Sequence, residues 1–465
     1  MFCNIFNKDS KVTRFMWYLL KLISILLLLE LPLNTLVHRV GNAKNISSYN
    51  NFFSFSSFED ITNKRIHNIN YSFHNSLLLS NENKELSEFK INLLHTNIFN
   101  NFTFSKIKHD SVYTLTKTIL PKEIIWVPGV IWRQQFITVQ NKKGYSIFPV
   151  NLLEINNKSL KVILKPITSN LNGQVGTSPL EKIAKEWQVI AAINGGFFNR
   201  NNKLPLGAIR QNNNWLSSPI LERGAVGWNE NGQFFIDNLS LKETLIMSNG
   251  KQIAIQCLNS GYIQAGISRY TSEWGKDYMS FSNNEIIVSV QNDKVIGKQK
   301  SKNIKQSYNI PDNGYLLVIR KKTFKSNLFS IGNKLKIRSD TVPKKFNKLS
   351  HILGAGPLLI NNGFISLNTQ DEKFTKSFQK QKASRSAIGI TSKEKIILVT
   401  VHNSTNSKGV NLNEMAQIMQ KLGSISALNL DGGGSTSLVL GGYLVDRFPP
   451  TAAKVHNGIG VFISQ

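Results

Sequence analysis

The 465-residue chain is long enough for one large domain or two ordinary ones, and at 41% hydrophobic residues it holds enough apolar side chains for a real core. Its two cysteines, Cys3 and Cys257, exclude a disulfide framework. A net charge of +28 attracts anionic polymers or phosphate-bearing substrates, yet no helix-turn-helix, finger or aromatic-basic RNA motif accompanies it, so nucleic acid is not an expected partner.

In chain order, Lys8, Lys11 and Arg14 precede an apolar run from Phe15 to Leu29 that Lys21 interrupts. The run is short for a spanning helix, which needs about 20 residues. Gly41-Asn42-Ala43 offers a small-residue cleavage site. This order predicts an export signal over residues 1–43, cleaved after Ala43, with an uncleaved N-terminal anchor as the alternative. Contact with a membrane is expected only through this segment. The mature chain is expected in the periplasm, the cell envelope or the medium. Cys3 lies before the apolar run and is no lipoprotein acceptor. Residues 44–122, rich in Asn, Ser, Phe and Lys, read as a low-complexity extension.

Ordered texture begins near Trp126, and residues 123–465 read as one domain. Short strands such as Lys161-Val-Ile-Leu-Lys165, Gly224-Ala-Val-Gly-Trp228 and Glu285-Ile-Ile-Val-Ser-Val290 are separated by glycine-rich turns. Helices are few. The class expected is α+β: a β-rich mixed sheet with glycine turns at strand ends. Ser178-Pro-Leu-Glu181 has the order of a capping box, and Leu180, Ile183, Ala184 and Trp187 share a helical face. Asn411-Leu-Asn-Glu414 offers a second cap, followed by a stripe of Leu412, Met415, Ala416, Met419 and Leu422 and a stop at Gly423. Cys257 reads as a packed core thiol. The basic stretch from Asn292 to Asn309 reads as an exposed loop.

Each predicted helix is followed by an apolar run that ends in an Asx residue and glycines. Val189-Ile-Ala-Ala-Ile193 enters Asn194-Gly-Gly-Phe-Phe198, and Ala427-Leu-Asn-Leu430 enters Asp431-Gly-Gly-Gly-Ser435. Runs of glycine are entropically costly and make sense where backbone must turn sharply or approach a ligand. Strand ends of this kind are common places for sites. An ordinary Asp-Gly turn is the alternative at Asp431. The glycines are not a P-loop, because Gly-Lys-[Ser/Thr] is missing, and Ser435 lacks the frame of a nucleophile elbow. No His, Cys and carboxylate spacing suits zinc. No cofactor or metal is expected. A divalent cation at Asp431 stays conceivable, although one carboxylate alone is a poor site.

Taken with Gly354-Ala-Gly-Pro, Arg385-Ser-Ala-Ile-Gly and Val455-His-Asn-Gly-Ile-Gly, the two glycine turns resemble the phosphodiester glycosidase family, over most of residues 126–465. The resemblance implies an enzyme that cleaves the anomeric C–O bond between a sugar and phosphate. Asp431 would then be the carboxylate, as base toward water or as stabiliser of an oxocarbenium-like transition state. Arg385 would hold the phosphodiester or its developing charge, with an ion pair to Asp431 as the structural alternative. Gly432, Gly433, Gly434 and Ser435 would cradle oxygens. Asn194, Gly195 and Gly196 would form the opposite wall, with Phe197 against a sugar face or in the core, and Asn457 beside them. Where the family carries Asp-Gly after the strand that follows the Arg motif, this chain has His402-Asn403. His402 is a proton carrier by this reading, or holds a loop. Glu222-Arg223 reads as a solvated ion pair, or as a source of a second carboxylate. The expected partner is a carbohydrate or sugar-phosphate substrate. The competing reading is an envelope protein that binds anionic polysaccharide without turnover.

Overall fold

The computed structural model describes residues 102–106, 113–117, 122–141, 144–156, 162–171, 174–320, 328–403 and 408–464. The expected export signal and most of the expected extension lie outside the described residues. Within the extension, Phe102–Lys106 pairs antiparallel with Tyr113–Lys117.

β-structure dominates. The largest sheet has eight strands, in the order Phe364–Ile365, Leu358–Asn361, Ser424–Asn429, Arg385–Thr391, Ile396–Val401, Gly144–Ile155, Val130–Asn141 and Lys122–Val127. One face carries Val150, Leu152, Leu359, Ala387, Val399 and Val401, covered by the helix Leu412–Lys421. The other carries Leu153, Ile388, Leu398, Leu428 and Leu430, packed against two five-stranded sheets. The period of two along each strand sends alternate residues to these two cores. One of the smaller sheets is built from Tyr443–Leu444, Leu438–Leu440, Ala191–Asn194, Asn457–Ile463 and Val162–Thr168, and the helix Leu180–Glu186 covers its outer face. The other contains Gly224–Trp228 and His351–Gly354. Among the described residues, strand pairings are antiparallel, save the two-residue parallel contact of Cys257–Leu258 with Ile267–Thr271. The fold is thus β-rich, with three short α-helices among the described residues.

The two predicted helices form, but their caps differ. Asn411 accepts from the Glu414 N–H, and the Glu414 carboxylate accepts from the Asn411 N–H, each at 2.9 Å, so this capping box is complete. At the other helix the box is absent. Ser178 exchanges backbone hydrogen bonds with Val455, at 2.9 and 2.8 Å, and is drawn into a β-bridge. Glu181 turns away to accept the Leu444 N–H. Pairing to the segment just before the last strand outcompetes the local cap. The expected loop from Asn292 to Asn309 is also corrected. Lys294–Lys300 is an edge strand on Ile286–Gln291, and Ser307–Asn309 pairs with Asp277–Met279. Val295 is its one buried side chain, and lysines line an edge that would otherwise template aggregation. Cys257 is buried, as expected, and burial pushes its thiol up.

Candidate active site

Two strand ends meet at the site. Asn194 closes Ala191–Asn194, and Asp431 lies just past Ser424–Asn429. They belong to different sheets and are cross-stitched by the turns that follow them. The Asp431 N–H donates to the Gly195 carbonyl at 2.9 Å, and Asn194 Nδ2 donates to the Asp431 carbonyl at 2.7 Å. Asn194 is fully buried; its Oδ1 accepts from Ser386 Oγ at 2.6 Å and from the Ser437 N–H at 3.1 Å. One side chain therefore ties four segments together. The Gly196 N–H donates to Asn457 Oδ1 at 2.7 Å. Glycine is required here by space: a Cβ on Gly195 would stand 2.1 Å from Asn457 Oδ1, and one on Gly196 would stand 2.2 Å from the Gly354 carbonyl oxygen. Asn457 is thus a buried post that shapes the turn. His456 is buried beside it, its Nε2 donating to the Gln174 carbonyl at 2.7 Å, and burial holds its imidazole down at about 4.

The second turn presents a carboxylate. Asp431 keeps part of its surface, yet burial pushes its carboxyl up to about 6, against the Ser435 side chain, the Gly432 N–H and the charges of Arg200 and Arg385, all of which favour the anion. The Gly432 N–H reaches Asp431 Oδ1 at 3.0 Å, that of Gly433 reaches the Ser384 carbonyl at 2.7 Å, and that of Ser435 reaches Gly432 at 3.2 Å. These three donors are engaged inside the fold, where they hold the turn and its carboxylate. Arg447 clamps the other side through the carbonyls of Gly433, Gly434 and Thr436.

Arg385 is 1% exposed. Its Nη2 donates to the carbonyls of Gln381, at 2.8 Å, and Phe378, at 3.3 Å, and its Nε to that of Val410 at 3.4 Å. None of these partners is a carboxylate, so the direct ion pair with Asp431 does not form. Burial draws the guanidinium down to about 10, and the charge of Asp431 opposes the shift. Its Nη1 lies 3.8 Å from where a Cβ on Gly432 would be. Its plane sits over Phe378, 4.9 Å from the ring centroid.

Phe378 opens a feature that the sequence did not disclose. Phe374 and Phe378 stack at 5.2 Å, and Phe197 meets them at 5.7 and 6.3 Å. This half-buried aromatic wedge is flanked by Arg385 on one side and by Arg223 on the other, the latter 4.1 Å from the Phe374 centroid. Phe197 is therefore wall, not core. Glu372 anchors the segment that bears Phe374: its carboxylate accepts the N–H groups of Gly224, at 2.8 Å, and Leu358, at 2.9 Å. Arg200, exposed on the tight Asn199–Lys203 turn, is the other cation whose charge reaches Asp431. Phe374 stands just before the N-cap Thr375 and Phe378 inside the short helix Lys376–Lys380, and no local sequence signal places the two rings together.

His402 follows Val401, the residue paired with Arg385. It pairs with Asp446 at 2.7 Å, and Asp446 also accepts the Leu438 N–H at 3.0 Å. The next residue is Arg447, so this pair braces the outer flank of the glycine turn. Among the described residues no group of three or more His, Cys, Asp or Glu is placed to hold a metal.

The sequence model of the phosphodiester glycosidase family matches residues 284–462. The crystal structure of a hypothetical protein from Synechocystis superposes with a TM-score of 0.72 at 42% identity, covering 78% of this chain and 68% of that one. A Burkholderia pseudomallei protein described as exported shares the fold, with a TM-score of 0.56 at 19% identity over 68% of this chain and 74% of its own. The N-acetylglucosamine-1-phosphodiester alpha-N-acetylglucosaminidase of Bos taurus is 35% identical over 107 residues, and the human enzyme likewise. Those matches span 21% of this chain and about a fifth of the length of the curated relatives. With the family model matched over residues 284–462 and a 42% identical neighbour of which the chain covers 68%, the chain belongs to the phosphodiester glycosidase family.

Proposed function

We propose that the protein is an exported hydrolase that cleaves the bond between the anomeric carbon of a sugar and a phosphodiester, in an envelope or extracellular glycan. The observation that carries the reading is Asp431: a carboxylate lifted to about 6, at the joint of two glycine turns, with arginines on either side. A glycosidase that expels an alcohol needs a second carboxyl as general acid. The neighbouring Glu372 is committed to two backbone N–H groups. A single carboxylate suits a substrate whose leaving group, a phosphate ester, departs without protonation but needs its charge met.

In this mechanism the substrate's sugar ring lies against the wedge of Phe197, Phe374 and Phe378. Asp431, ionised at neutral pH, stabilises the oxocarbenium-like transition state or takes a proton from water. Arg200, free to move at the surface, meets the phosphate. Arg385 supplies a fixed positive field from behind Gly432 and keeps the wedge in place. His402 holds Asp446, and through it the hairpin that carries Arg447, with proton transfer as its alternative role. The names of the curated relatives support a sugar 1-phosphate diester as substrate class. The order of basic, apolar and small residues in 1–43 supports export, with the catalytic domain in 123–465. No cofactor enters the scheme. Binding of anionic polysaccharide without turnover is favoured by the net charge and by His402-Asn403 standing where family members often carry Asp-Gly. The diester of glucose 1-phosphate with 4-nitrophenol, with both products identified, tests the proposal. Release of free glucose and 4-nitrophenyl phosphate, lost in Asp431→Asn, is the expected result. Binding without release would transfer the protein to the non-catalytic class.

A further inference from the structure

A phosphodiester carries a single negative charge, and the segments that build the site carry more cations than that charge needs. Arg200 and Lys203 are exposed on the turn that follows Phe197 and Phe198. Lys373, Lys376 and Lys380 are exposed around Phe374 and Phe378, the last two on the helix Lys376–Lys380 itself. Lys454 is exposed next to Ala453, whose N–H donates to the Gly434 carbonyl at 2.8 Å. Among the described residues, none of these cations has a carboxylate partner.

The acids that would balance them are missing. Residues 195–206, 373–392 and 447–465 contain no Asp or Glu. Asp371 and Glu372 border the second segment, and Glu372 is turned inward onto the N–H groups of Gly224 and Leu358. Away from the site the chain pairs its charges: Glu154 takes both Arg133 and Lys395, and Glu243 takes Arg269. The placement of the cations is as telling as their excess. The glycine turn starts at Gly432, beside Arg385, and reaches Ala453 at Gly434. Lys376 and Lys380 belong to the Arg385 end, because Arg385 donates to the carbonyls of Phe378 and Gln381. They are four residues apart, so the helix brings them to one face. Lys454 belongs to the Gly434 end. Cations at both ends of the turn suit a ligand with negative charges on both sides of the scissile phosphate, and the wedge of Phe197, Phe374 and Phe378 offers rings against which its sugars lie.

We propose that this rim binds a linear polyanionic glycan, in which the scissile phosphodiester is one of a row of anions with sugar rings between them. The inference rests on the hydrolytic reading for the bond that is cut, but binding by the rim is testable without turnover. Unpaired charges of one sign raise the local concentration of an oppositely charged ligand. A polyanion gains further, because each lysine that meets it releases condensed counterions, so its affinity falls steeply with salt.

The test separates the rim from the net charge of the whole chain. Fluorescein-labelled dextran sulfate is titrated with protein and followed by anisotropy, with neutral dextran of the same length alongside. A rim variant carries Lys376→Gln, Lys380→Gln and Lys454→Gln. A control variant of equal net charge carries Lys294→Gln, Lys300→Gln and Lys336→Gln, exposed lysines on the strands Lys294–Lys300 and Leu335–Val342. The rim variant should bind dextran sulfate about tenfold or more weakly than the wild type, and the control variant within about threefold of it. Equal losses in both variants would show that only net charge acts and would overturn the proposal, as would equal affinity of the wild type for neutral dextran. Arginine at the same rim positions keeps the charge and should restore binding; failure to do so would also overturn it. In the second arm, dextran sulfate should compete with the glucose 1-phosphate diester, and the rim variant should need about tenfold more of it for the same inhibition, with kcat kept. Inhibition equal in wild type and rim variant would place the polyanion away from the rim and overturn the proposal. Rim-dependent binding in a protein that releases no glucose would keep the polyanion surface and remove the hydrolytic reading. Melting of the rim variant, which should match the wild type because the lysines are exposed, controls for folding.

Discussion

Replacing Asp431 by Asn should make the protein more stable at neutral pH while abolishing turnover. The carboxyl titrates near 6 in the fold against an ordinary 3.8, because burial disfavours its anion. Between those values the native state holds a proton that the unfolded chain has shed. Native stability therefore falls as pH rises through 3.8 to 6, and the full cost is present above that window. A shift of about two units corresponds to roughly 3 kcal/mol. This is an upper bound for the variant's gain, since Arg385 and Arg200 lose a favourable charge. Asn can still accept the Gly432 N–H through Oδ1 and donate to Ser435, so the turn keeps its bonds. Urea titrations at pH 8 and pH 3.5 measure the effect. The variant should exceed the wild type by up to about 3 kcal/mol at pH 8 and match it at pH 3.5. Turnover by the wild type should rise with pH through about 6, as the anion forms. A variant that is less stable at pH 8 would refute the reasoning and assign Asp431 to the architecture instead.

Arg385→Lys should lose stability as well as activity. An ammonium cannot hold the carbonyls of Gln381, Phe378 and Val410 at once, and the expected loss, by chemical denaturation, is about 2 kcal/mol. Gly196→Ala sets a methyl 2.2 Å from the Gly354 carbonyl oxygen, a backbone atom that cannot step aside. A melting curve should show a drop of several degrees, and activity should be lost even in the folded fraction. His402→Asn frees one oxygen of Asp446 and should lower stability by about 1–3 kcal/mol, with kcat of the folded protein changed by less than about tenfold. A larger fall in kcat at full stability would give His402 the proton-carrying role.

Legibility of the sequence followed the range of the interaction. Asn411 and Glu414 are three residues apart, and their cap was readable because it is closed within the turn. Ser178-Pro-Leu-Glu181 has the same pattern and was misread, because its competitor, Val455, arrives from the far end of the chain. Lys294–Lys300 hid as a loop since an edge strand buries almost nothing and so carries little alternation. The glycine turns announced the site, because steric demand for glycine is local, even though Asn194 and Asp431 meet across 237 positions. Phe197 and Arg385 were readable from their motifs, but not the wedge they join. Phe374, Phe378 and Arg200 lie in polar stretches without a motif, Arg223 was read only as half of a solvated ion pair, and the tertiary fold alone brings them to the wall.

The account's central claim is that the sugar's anomeric C–O bond breaks, with phosphate leaving. Hydrolysis of the glucose 1-phosphate diester in water enriched in oxygen-18 tests it directly, with mass spectrometry of both products. The label is expected on the anomeric hydroxyl of the released glucose, and the phosphate ester should be unlabelled. Label in the phosphate ester would show attack at phosphorus and contradict the account.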